Sequence, residues 1–181
     1  VYKYNDGVKG EMYNFLDIVP EVTTSILEKV LIFKDSNSKM VPVKVRAGKD
    51  NITGNLQLEL PKNWIVSPKQ IPFTLDKKGM EQTFYFDVTP PSNFEEVIAK
   101  SIAIVDSKRF DKDETVIDFG HITKQMVLKP AESKFLKIDL KTTGDAIGYI
   151  MGAGDEVPES LAQMGYKVTI LKPEEITPEK L

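Results

Sequence analysis

A chain of 181 residues, 41% hydrophobic and 28% charged, is long enough for one sizeable core with material left over. A formal charge of -3 lacks the basic excess of a nucleic-acid binder, and no apolar run approaches membrane-spanning length, so neither nucleic acid nor membrane is expected as a partner. The absence of cysteine excludes disulfides, thiolate metal sites and a cysteine nucleophile, and leaves the compartment open.

The first stretch, Val1 to Asp17, sets Tyr2, Tyr4, Tyr13 and Phe15 among charges and glycines with no clean period. It reads as part of an extended connector, residues 1–21, lying on the domain that follows. From Val22 the pattern changes to short strands. Val41, Val43 and Val45 alternate with Pro42, Lys44 and Arg46, and Leu56, Leu58 and Leu60 alternate with Gln57 and Glu59. Phe84, Phe86 and Val88 alternate with Tyr85 and Asp87 in the same way, and Leu136, Ile138 and Leu140 with Lys137 and Asp139. Period two marks strands with one face buried, so each named apolar set is expected to point inward. Turn residues at Asp35–Ser38, Lys49–Asn51, Lys77–Gly79 and Pro90–Asn93 separate these runs. Half-buried strands at regular spacing, with no long helix between them, predict an antiparallel immunoglobulin-like β-sandwich over residues 22–141.

Near Lys141–Asp145 the alternation gives way to the solid apolar run Ile147–Met151, the signature of a parallel strand. A helix is predicted from about Glu156 to Met164 and a second strand from Lys167 to Leu171. Residues 142–181 therefore read as one βαβ unit of an α/β domain, a unit that cannot cover both faces of a parallel sheet. With no initiator Met or signal region at Val1, the chain is expected to be the middle of a longer protein. Apolar strand faces in such a tail should fold back on the sandwich, pair with a second copy to give a homodimer, or stay disordered.

Several residues invite chemistry. Gly152-Ala153-Gly154, between strand and helix, suggests a phosphate-binding turn, but Val157 stands where a third glycine belongs, and Asp155 and Glu156 put negative charge where phosphate would sit. His121 is the sole histidine, too few for a zinc cluster or a triad, and reads as the end of a strand. Asp111-Lys112-Asp113-Glu114 lacks the glycine and spacing of a calcium loop and reads as a solvated turn. Glu95-Glu96 and Glu174-Glu175 are adjacent rather than convergent. Asn51-Ile52-Thr53 matches a glycosylation sequon, relevant only in a eukaryotic secretory pathway. Trp64, the only tryptophan, reads first as a core or edge aromatic closing the sandwich and otherwise as a platform for a sugar ring. Tyr85 is the second candidate for glycan contact.

Three stretches resemble one family. Asn55-Leu56-Gln57-Leu58-Glu59-Leu60-Pro61-Lys62-Asn63-Trp64-Ile65-Val66-Ser67-Pro68, followed by Lys78-Gly79 and Phe84-Tyr85-Phe86-Asp87-Val88-Thr89-Pro90-Pro91, resembles the NPCBM-associated immunoglobulin-like sandwich of carbohydrate-active enzymes. The tail, Ile147 to Leu161 with Met164-Gly165-Tyr166-Lys167-Val168-Thr169, resembles the segment opening a glutamine-amidotransferase-like domain in large PIG-L (LmbE-like) deacetylases of Bacteroidetes. Tyr4 to Tyr13 resembles the connector leaving their catalytic domain. The resemblance implies a parent enzyme that removes acetyl groups from N-acetylated sugars with zinc held by a His-Pro-Asp-Asp motif and a further histidine. None of those residues is in this chain, so no catalytic residue, cofactor or metal ligand is expected here, and zinc belongs to the parent catalytic domain. On this reading the chain is a non-catalytic accessory module, positioning domains or contacting glycan, with the parent catalytic domain as partner and the periplasm or cell surface as location. The alternative is a free-standing carbohydrate-binding or adhesion module.

Overall fold

The computed structural model describes residues 1–8, 10–14, 18–119 and 122–175. In chain order its strands are β1 (Tyr2–Asp6), β2 (Gly10–Asn14), β3 (Val22–Ile26), β4 (Val30–Phe33), β5 (Lys39–Ala47), β6 (Ile52–Glu59), β7 (Ile65–Ser67), β8 (Ile71–Leu75), β9 (Glu81–Thr89) and β10 (Glu95–Val105). There follow β11 (Lys108–Phe110), β12 (Lys112–Ile117), β13 (Gln125–Pro130), β14 (Glu132–Lys137), β15 (Ala146–Tyr149), helix α1 (Val157–Gln163) and β16 (Lys167–Ile170).

Two sheets form the sandwich. One runs β3-β5-β9-β7 and the other β4-β14-β10-β6-β8, with β11 paired to β10. Taken in chain order, β3, β5 and β9 occupy the A-B-E places, and β6, β10 and β14 the C-F-G places, of an immunoglobulin-type sandwich. The first strand of that frame is split. Leu27 N–H still donates to Pro42 O in the first sheet, whereas Lys29 O accepts from Lys134 N–H in the second, so residues 27–29 cross between sheets. That crossing makes β4 the one strand parallel to its sandwich neighbour, β14.

Alternation along β5 and β9 places Val41, Val43, Val45, Phe86 and Val88 in the core opposite Leu56, Leu58, Ala99, Ala103 and Phe135, all buried. Each large apolar side chain removed from water contributes roughly 1.5–3 kcal/mol, which is the main term holding the two sheets together. Within this core the Thr24 and Ser101 hydroxyls satisfy one another by hydrogen bonding.

One expectation is corrected. The period predicted Leu136, Ile138 and Leu140 inward, but β14 buries Ser133, Phe135 and Lys137 and ends before Ile138. Phe135 decides it, because its ring packs against Phe33 (5.5 Å between centroids) and Trp64 (5.9 Å), and a strand cannot turn both of its faces inward. Lys137 is carried in by that choice and donates to Ile138 O at 3.2 Å. The N-terminal stretch, read as part of an extended connector, contains a β1–β2 hairpin in the register Tyr2↔Asn14 to Asp6↔Gly10. Its turn is set by Asp6 Oδ1, which accepts from Val8 N–H at 2.9 Å, and by Gly10 at φ +77°. Phe15 lies outside the described residues.

The β12–β13 ribbon lies across the outer face of β3. Thr23 points away from the core, yet it is buried beneath this ribbon, which is tied down by Lys29–Asp113 (3.1 Å) and Arg46–Glu114 (3.7 Å) ion pairs. The tail forms the expected unit: β15 and β16 are parallel, α1 connects them, and the unit rests on β4 of its own chain.

Candidate functional site

The best-defined polar constellation lies where α1 meets β4. β4 is an edge strand, so its outward backbone groups need partners. The side-chain amide of Gln163, the last residue of α1, supplies them: Oε1 accepts from Ile32 N–H at 2.9 Å and Nε2 donates to Val30 O at 3.3 Å. A donor to one residue and an acceptor from the residue two further on is what a neighbouring parallel strand would offer opposite Leu31. Gln163 Nε2 also donates to Glu28 Oε2 at 3.1 Å, and Gln163 O accepts from Lys39 Nζ at 3.2 Å. Lys39 donates to Ile32 O as well and lies 5.7 Å from the Phe33 ring centroid. Burial raises the Glu28 carboxyl above its ordinary range, with Lys39 opposing. Burial likewise lowers the Lys39 ammonium, with Glu28 and Asp35 opposing.

Beside this joint is a cleft of about 430 Å³ lined by Glu28, Lys29, Val30, Glu156, Glu159 and Gln163. Its carboxylates do not converge on a reacting position. Glu28 is held by Gln163, and no group of three His, Cys, Asp or Glu side chains among the described residues is placed to hold a metal.

The glycine turn at Gly152–Gly154 is filled from within. The Asp155 carboxylate accepts from Tyr149 OH, from Val157 N–H at 3.0 Å and from Gly152 N–H at 3.4 Å. The Tyr149 hydrogen bond, then that from Val157, lowers the Asp155 carboxyl, and the same contact raises the Tyr149 phenol. A carboxylate thus occupies the position a phosphate would need.

Trp64 is 4% exposed, its ring set edge-on to Phe33 at 5.1 Å, and its Nε1 donates to Glu95 Oε2 at 3.2 Å. The core reading is the one the structure shows, and the sugar-platform reading of Trp64 is corrected, because Phe33 and Phe135 pack against its ring. Tyr85 is 55% exposed on the outer face of β9, opposite Pro42 of β5. The fold therefore separates the two candidates, one inside and one outside. Glu95 serves Trp64 and Asn63, while Glu96 pairs with Lys134 at 2.7 Å. The residues read as a solvated acidic turn at 111–114 mostly belong to β12, with Asp113 and Glu114 engaged in ion pairs. His121 lies outside the described residues.

Gln163, Lys39 and Glu28 gave no sign in the sequence. Their roles arise only when α1 docks on β4, and a lone Gln at a helix end carries no spacing that announces a partner more than 100 residues away.

No protein-family model matches the chain, and no curated protein matches it. Among solved structures, 67% of the chain aligns with a family 123 glycoside hydrolase from Clostridium perfringens, described for glycolipid glycan hydrolysis, at 7% identity and a TM-score of 0.39. The aligned part spans 28% of that chain.

Proposed function

We propose that this chain is a non-catalytic accessory module whose sandwich holds the βαβ segment in a fixed position beside the catalytic domain of a PIG-L-like N-acetyl-sugar deacetylase, in the periplasm or at the cell surface. The observation that carries the positioning role is the Gln163 amide, which completes the β4 edge as an added strand would and leaves the tail little freedom to swing. The deacetylase context rests on the stretches Tyr4–Tyr13, Asn55–Pro91 and Ile147–Thr169. On the same resemblance, zinc chemistry is assigned to the parent catalytic domain, because the His-Pro-Asp-Asp motif is not in this sequence.

The chain has no cysteine, so spin labels placed by Lys69→Cys and Ala153→Cys report one distance between sandwich and tail. A narrow distribution that broadens in Gln163→Ala supports the positioning role, and a broad distribution in the unaltered tail overturns it. Zinc-dependent release of acetate from N-acetylglucosamine by the purified chain would overturn the non-catalytic reading.

A second reading, a free-standing carbohydrate-binding module, is favoured by one observation: Tyr85 and Met40 are both more than half exposed on the same outer sheet face. Oligosaccharide binding that disappears in Tyr85→Ala supports it; absence of binding at millimolar ligand counts against it.

A further inference from the structure

A second hollow, of about 330 Å³, lies where three parts of the chain meet: Tyr2 on β1, Arg46 and Lys78 on the sandwich, and Glu114, Lys124 and Met126 on the β12–β13 ribbon or just before it. Its charge runs against that of the molecule. The whole chain carries -3, whereas these side chains carry three positive charges and one negative. Arg46 and Glu114 neutralise one another at 3.7 Å, and Arg46 also reaches Glu81 at 3.5 Å. Lys78 and Lys124 have no carboxylate within ion-pair distance among the described residues. Lys78 and Lys124 both line the hollow, so an anion bound there would be attracted by both, and a concave wall concentrates their field.

The base of one of them is fixed. Lys78 N–H donates to Asp50 Oδ1 at 2.7 Å, and Gly79, at φ +82°, donates to Ala47 O at 2.8 Å, so the turn presents Lys78 from a set backbone. Tyr2, which also lines the hollow, brings an aromatic ring that lies 6.0 Å from Tyr4 at 32°, and Met126 adds an apolar surface. A ring face beside paired cations recognises a ligand that is apolar on one side and anionic on another. Two unpaired lysines are too few for a phosphate polymer, which demands a row of cations.

We propose that this hollow binds an acidic sugar, with the pyranose C–H face on Tyr2 and its carboxylate or sulfate between Lys78 and Lys124. The site goes beyond the positioning role, which depends on α1 and β4, so the two fail separately.

Titration calorimetry of the full chain with trigalacturonate tests it, alongside neutral galactotriose and sodium sulfate. The expected result is binding of the uronide that weakens as salt rises, at least tenfold weaker binding in Lys78→Glu/Lys124→Glu, weaker binding in Tyr2→Ala, and none for the neutral sugar. Both lysines are exposed, so the double variant is expected to keep the fold, as circular dichroism would verify. Lys62→Glu/Lys69→Glu, the same charge change elsewhere on the surface, is expected to bind as the parent does. No uronide binding, equal loss in this control pair, or binding untouched by the Lys78 and Lys124 changes overturns the proposal. Sulfate binding as tightly as the uronide, with Tyr2→Ala indifferent, overturns the sugar assignment in favour of a bare anion.

Discussion

At the scale of single residues, Trp64 and Tyr85 are both candidates for glycan contact in the sequence, one just before a strand and one within a strand, and the structure places them on opposite sides of the surface. Trp64 is enclosed by Phe33 and Phe135 and anchored through its indole N–H to Glu95. Replacing it with Ala leaves a cavity in the core and removes one of the two hydrogen bonds to Glu95 Oε2, an expected loss of about 3–5 kcal/mol in urea unfolding. Iodide is expected to quench its fluorescence weakly in the folded chain and strongly once the chain is unfolded. Tyr85→Ala removes a ring that faces water and is expected to change stability by no more than about 0.5 kcal/mol in the same assay. Alternation with Phe84, Phe86 and Val88 already set Tyr85 on the outward face, whereas the fate of a residue just outside a strand, as Trp64 is, depends on the opposite sheet.

At the scale of elements, the strands of the two sheets were legible wherever period two was carried by large aliphatics, as at Val41, Val43 and Val45. β14 shows the limit of that signal. Its sequence offers two faces of similar hydrophobicity, and the face bearing Phe135 prevails because one buried ring packed on Phe33 and Trp64 outweighs aliphatics that can remain half exposed. The β4 edge was illegible for another reason, since its partner is a side chain. Gln163→Ala removes two hydrogen bonds to β4 together with the tie to Glu28, each bond worth about 1 kcal/mol net, so exchange of the Ile32 amide is expected to quicken about tenfold or more. Hydrogen-exchange NMR reads this amide directly, and unchanged protection would mean that α1 does not guard the edge.

The turn before α1 adds a pH signature. The folded carboxyl of Asp155 lies below its unfolded value of about 3.9, so its contribution is present above that pH and is lost as pH falls through the folded value. Tyr149 is shifted upward and favours the neutral phenol; its contribution is present below about pH 10 and is lost as pH rises through the folded value. The turn is therefore expected to be tightest between about pH 4 and pH 10. In Asp155→Asn the Tyr149 phenol is expected to titrate closer to the ordinary value, which an NMR titration of its ring carbons would reveal.

At the scale of the whole molecule, the division of labour follows from where the core lies. Every residue of the buried cluster falls between Val22 and Phe135, and β15, α1 and β16 contribute none. The tail has little with which to hold itself together. α1 has seven residues, below the roughly 12–15 at which an isolated helix becomes marginal, and a two-stranded sheet is marginal in water by itself. Its order is borrowed from β4 and Lys39. Cutting the chain before Thr142 should then leave a sandwich that still unfolds cooperatively, its Tm lower by about 15 °C or less, because the four hydrogen bonds lost with Gln163 amount to about 4 kcal/mol. A peptide of residues 142–181 alone should give the circular dichroism of a coil. A tail peptide that folds unaided, or a sandwich that collapses without its tail, would reverse the dependence. A segment that is ordered only by its host takes its position from the host, which is the dependence that the proposed positioning role requires.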